Sequence, residues 1–142
     1  MFTKIDHIEI VAKNLHKMSA FYIQSLGFVE VSRDKLTSAK FKEAIMLAHN
    51  EIRIELLSTH ADYQPAITEK TFGLHLPAFE VQDMVKTLNM LKHRGIAAAW
   101  GPKRLGNSIR AEIFDIEGNS IELRQWYSVS ELKMISKNYI KG

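Results

Sequence analysis

Three short segments place side chains capable of chemistry at every second position. In HIEIV, His7 and Glu9 alternate with Ile8 and Ile10. In IRIELL, Arg53 and Glu55 alternate with Ile54 and Leu56, and in IELRQW, Glu122 and Arg124 alternate with Ile121 and Leu123. Successive side chains of a strand point to opposite faces. Each segment therefore offers an aliphatic face to a core and a second face of imidazole, carboxylate or guanidinium. Imidazole and carboxylate are the usual groups for moving protons. A guanidinium two residues from a carboxylate, as at Arg53/Glu55 and Arg124/Glu122, can equally hold that acid as an ion pair. The alternation alone leaves both uses open. Trp126, Phe114 and Trp100 are candidates for aromatic walls, although aromatics at strand parity are more often core.

The elements that must position these residues come in two copies. Residues 4–11 read as a strand, 15–26 as a helix capped by Asn14, and 28–33, 41–48 and 52–58 as three more strands. The order β-α-β-β-β then repeats. A strand is expected over 71–81, a helix from Asp83 to Gly95, and strands over 96–100, 108–115 and 120–126, the last two joined by Glu117-Gly118-Asn119. Setting Asn14 over Asp83 lays Leu15 over Met84 and His7 over Leu76. The expected architecture is α+β: two βαβββ repeats with curved mixed sheets whose polar faces form a cleft, plus a C-terminal helix. It is read as a single domain over 1–142, with repeat 1 at about 4–58, a polar connector at 59–70, repeat 2 at about 71–126 and the helix at about 128–141.

Composition excludes several classes. Nineteen Lys and Arg against 16 Asp and Glu leave a formal charge of +3, without the dense basic face of a nucleic-acid binder. Lys133, Lys137 and Lys141, four apart, read as the solvated face of a helix. No cysteine is present, so there is neither a disulfide framework nor a thiolate site. No apolar run reaches the roughly 18 residues of a membrane span, and MFTKIDHIEIV lacks an apolar signal region. The expectation is a cytoplasmic protein that acts on a small-molecule substrate or ligand, with no nucleic acid and no membrane.

The segments IDHIEIVAKNLHKMSAFYIQSLGF, IRIELLS, GLHLPAFEVQDM and FDIEGNSIELRQW together resemble the vicinal oxygen chelate superfamily, which includes glyoxalase I, bleomycin-resistance proteins, methylmalonyl-CoA epimerase and extradiol dioxygenases. The resemblance runs over nearly all of residues 4–126. It implies a divalent metal ion held by His7, Glu55 and Glu122, with Glu122 or Glu55 as the catalytic base. A further His is expected where this chain has Leu76. His75 shares the parity of Phe79 and Val81 and should point away, unless Pro77 marks a bulge that swings it inward. One imidazole and two carboxylates suit nickel, zinc, manganese or iron. The implied activity is glyoxalase-like lyase or isomerase chemistry, removing a proton next to a carbonyl of a hemithioacetal or an acyl thioester. The resemblance also implies a homodimer. Dioxygen chemistry, which needs two His and one carboxylate, is disfavoured.

The alternative is a metal-free small-ligand binding or resistance protein of the same fold, its acids paired to Arg53 and Arg124. Glu9, Leu76 and Trp126 are expected to line the site with those arginines. His16, His49, His60 and His93 read as solvated, and Met18, Met84 and Met90 as core filler. The loop Gly101-Pro102-Lys103-Arg104-Leu105-Gly106 reads first as hairpin punctuation, and second as a grip on an anionic substrate end.

Overall fold

The computed structural model describes residues 1–61 and 72–140, with side chains to residue 134. Most of the expected connector, the start of the expected strand at Thr71, and the side chains of Ile135, Lys137 and Lys141 lie outside the described residues. The chain divides into two compact units. The first is Met1–Gly73 together with Asp115–Gly118; the second is Leu74–Phe114 together with Asn119–Gly142.

In the first unit β1 (Ile8–Val11), α1 (Leu15–Gln24), β2 (Val29–Lys35), β3 (Phe41–His49) and β4 (Ile52–Thr59) follow in chain order. The sheet order is β1-β4-β3-β2, with β1 parallel to β4 and the other pairs antiparallel. Its aliphatic face behaves as the alternation requires. Ile45, Leu47, Ile54 and Leu56 are buried, and α1 contributes Leu15, Met18 and Tyr22 to the same core. Each fully buried aliphatic side chain contributes about 1.5–3 kcal/mol. Asn14 caps α1 by accepting from the Lys17 N–H at 3.0 Å. The Tyr22 hydroxyl donates to Asp115 at 3.0 Å, and the Glu117 carboxylate accepts from the Lys13 and Asn14 N–H groups.

The second unit repeats the connectivity with β5 (Ala78–Glu80), α2 (Met84–His93), β6 (Trp100–Leu105), β7 (Ser108–Phe114) and β8 (Ser120–Trp126), followed by α3 (Val129–Ile140). Its order is β5-β8-β7-β6. Met84, Leu91, Ala111, Ile113, Ile121 and Leu123 are buried. Asp83 caps α2 through the Lys86 N–H at 2.9 Å, as Asn14 caps α1. The architecture is thus α+β, with two four-stranded mixed sheets and a C-terminal helix.

Three expected strands are displaced, each for a local reason. The first begins at Ile8, not Lys4, because its partner β4 begins at Ile52 and the ladder opens at Ile8↔Ile54. The fifth is confined to Ala78–Glu80, since Pro77 lacks an N–H and only its carbonyl joins the ladder, accepting from the Glu122 N–H at 3.0 Å. The sixth occupies Trp100–Leu105, not 96–100. Glycine and proline there read as a turn, yet β6 is an edge strand, where proline and a bulge are tolerated, and its register shifts between Trp100 and Lys103.

Candidate functional site

In the first unit the register Glu9↔Glu55 sets two carboxylates side by side on the polar face of β1 and β4. His7, one residue before β1, shares that face. One ligand atom each from His7, Glu9 and Glu55 can be chosen so that all lie within 4.8 Å of one another. The imidazole is held from both sides. Its Nδ1 is 2.7 Å from Asp6 Oδ2, and its Nε2 is 3.4 Å from Glu9 Oε1. The Asp6 contact is the main cause that raises the His7 pKa above its usual 6.5; burial opposes it, and Glu9 and Glu55 add to it. The same hydrogen bond holds the Asp6 carboxyl below its ordinary value. Arg53 pairs at 4.0 Å with Asp6 and not with Glu55.

This donor set fits a divalent cation. An imidazole whose Nδ1–H is taken by a carboxylate presents Nε2 as the ligand atom, a common way of orienting metal-binding histidines. Two carboxylates beside it complete a nitrogen-oxygen set suited to zinc, nickel, manganese or iron. Sequence reasoning singled out His7, Glu55 and, as a polar neighbour, Glu9. It missed Asp6, whose signal was only its place next to the histidine.

In the second unit Glu122 is enclosed by arginines. Its Oε1 is 2.9 Å from Arg124 Nη2 and 3.7 Å from Arg110 Nε. Arg124 lies over the Trp126 ring at 5.1 Å. The pairing of Glu122 with Arg124 agrees with the ion-pair option of the sequence. Arg110 was missed, because its approach depends on the register Arg110↔Arg124. The ladder of β5 covers Ala78 to Glu80 only, and His75, which lies outside it, is exposed. Leu76 is half-buried. Trp126, Phe114 and Trp100 are 47%, 50% and 43% exposed, so they are not core. An open groove of about 410 Å³ in the first unit runs past the start of α1 among Lys13, Lys35, Lys42 and Glu43, and none of the candidate residues lines it.

The fold and these two polar faces define a class. Residues 6–113 match the model of the Glyoxalase/Bleomycin resistance protein/Dioxygenase superfamily, and the chain belongs to that superfamily. The chain is 29% identical over 110 residues to the uncharacterized protein YurT of Bacillus subtilis (strain 168), covering 74% of this chain and 85% of that one. The crystal structure of a glyoxalase family protein from Enterococcus faecalis superposes with a TM-score of 0.72 at 22% identity, covering 87% of this chain and 98% of that one. TnmS3, an antibiotic binding protein from Streptomyces sp. CB03234, superposes with a TM-score of 0.67 at 20% identity, covering 88% and 97%. Among the described residues no helix is long and apolar enough to cross a membrane.

Proposed function

We propose that the protein is a glyoxalase-like lyase or isomerase that removes a proton next to a carbonyl of a small substrate. The observation that carries this reading is the convergence of His7, Glu9 and Glu55, with Asp6 fixing the imidazole. His7 Nε2 and Glu9 would hold a divalent cation, and such an ion supplies a Lewis acid for the substrate oxygen. Glu55, half-buried beside the exposed Glu9, is the acid we assign as base. A carboxylate oxygen of Glu55 takes the proton from the carbon next to the carbonyl and can return it to the neighbouring position. Glu122, a ligand or base by family resemblance, is not needed for this cluster and is engaged by Arg124 and Arg110. A cytoplasmic homodimer completes the proposal.

The test is exchange of the substrate proton with D2O, using the hemithioacetal of a thiol and an α-ketoaldehyde. Exchange that needs an added divalent ion and is lost in Glu55→Gln supports the reading. Equal exchange with and without protein contradicts it.

A second reading has one observation of its own. The Glu122–Arg124 pair supplies beside that acid the positive charge that a metal would otherwise provide. On that basis the chain would bind a small molecule without a metal; the similar fold of TnmS3, an antibiotic binding protein, supports a binding role. Ligand binding undiminished by a chelator, together with no proton exchange, would favour it.

A further inference from the structure

The polar face of the second sheet carries a row of cations. Three directly paired positions on adjacent strands, Lys103 on β6, Arg110 on β7 and Arg124 on β8, lie side by side through the registers Lys103↔Arg110 and Arg110↔Arg124. Like charges placed directly opposite one another across strands are destabilising. Two acids answer them. Exposed Glu80 of β5 pairs in register with Arg124 at the far end of the row. Glu122 leans in from the next row, where Glu112 is its partner, and offers the one oxygen Oε1 to both arginines. The two arginines thus share one carboxylate oxygen, and Glu80 stands beside the row through its register with Arg124.

The arrangement is also unfinished. Arg124 Nε is buried and has no hydrogen-bond partner, the one such side-chain atom among the described residues. A buried, unpaired donor costs about 1–3 kcal/mol, and its presence in a native structure calls for a missing acceptor. Beside it Trp126 presents a half-exposed ring, its centroid 5.1 Å from the Arg124 guanidinium carbon. A flat group next to an anion would meet both features at once, since guanidinium takes carboxylate in a planar fork and the indole face takes a flat apolar body.

We infer that this face binds a small molecule carrying a planar carboxylate on a flat, conjugated body, the carboxylate lying across Arg110 and Arg124 and the body against Trp126. The site stands on the second unit alone. It holds whether or not a cation binds at His7, so it deepens either functional reading by naming the ligand class.

The experiment is calorimetric titration of the full chain in chelator, with benzoate, benzamide and inorganic phosphate as probes. The chelator removes any cation, so failure of the metal reading leaves this result unaffected. Benzoate is expected to bind at least about tenfold more tightly than benzamide and than phosphate, and to weaken as salt rises. Arg110→Gln, with folding checked by its melting transition, should weaken benzoate by about tenfold or more. Glu122→Gln removes the competing carboxylate and should tighten benzoate, by up to about tenfold. If Arg110→Gln does not fold, the Glu122→Gln arm decides alone. Equal binding of benzoate and benzamide, phosphate binding as tightly as benzoate, no benzoate binding, or weaker binding in Glu122→Gln each overturns the inference.

Discussion

Asp6 Oδ2 takes up the Nδ1 side of the His7 ring at 2.7 Å, leaving Nε2 toward the Glu9 carboxylate at 3.4 Å. A dipeptide therefore sets both the orientation and the protonation of the imidazole. In metal-free protein the His7 pKa lies above 6.5 because Asp6, and then Glu9 and Glu55, favour the charged ring. The stability this contributes is fully present below the unfolded value of about 6.5 and fades as pH rises through the folded value. An NMR titration of the ring should give a midpoint above 6.5, and Asp6→Asn should lower it. An unchanged midpoint in that variant would remove Asp6 from the account.

Cation affinity should follow the same ring with the opposite sign. A metal needs neutral imidazole, so binding competes with the proton. Affinity for zinc or nickel should rise with pH through the His7 midpoint and then level off. Titrations at several pH values check this, and an affinity independent of pH between about 5.5 and about 8, the range in which histidine titrates, would contradict it.

The Tyr22 hydroxyl donates to the buried carboxylate of Asp115, joining α1 to a segment 93 residues away in the chain. Burial, and then Asp115, push the Tyr22 pKa far up, so the hydroxyl stays protonated as the donor. Tyr22→Phe removes that donor from a buried acid. Urea unfolding should show a loss of about 1.5–3 kcal/mol, the scale of a hydrogen bond to a charged group. A loss below about 0.5 kcal/mol, the level of an ordinary surface substitution, would mean that the pair contributes little.

Gly101 has a φ of 77°, and a Cβ built on it would lie 2.6 Å from the Arg110 carbonyl oxygen. Both a left-handed backbone and a backbone collision therefore oppose any side chain there. Gly101→Ala should destabilise by more than about 1 kcal/mol and perturb the Arg110 strand. Unchanged thermal unfolding would contradict this.

Much of this was legible from alternation and repeat. The strands at Ile54 and Ile121 and the caps Asn14 and Asp83 announce themselves through local side-chain chemistry, which works whatever the rest of the chain does. The displaced elements depend on partners. Strand β1 starts where β4 lets it, and β6 runs through Gly101-Pro102 because an edge tolerates what an interior strand would not. That His7 and Glu9 share one face of their strand and Glu55 the polar face of its own followed from parity, while their juxtaposition needs the β1–β4 register. The approach of Arg110 to Glu122 did not, because it needs the β7–β8 register, which alternation on one strand cannot supply.

Metal analysis of untagged protein, dialysed against zinc, nickel, manganese or iron(II), tests the central claim most directly. One stoichiometric ion per chain is expected, lost in both His7→Ala and Glu9→Ala, with a higher melting temperature when the ion is present. No bound ion at any concentration and no change in melting temperature, or an ion retained in both variants, would contradict it.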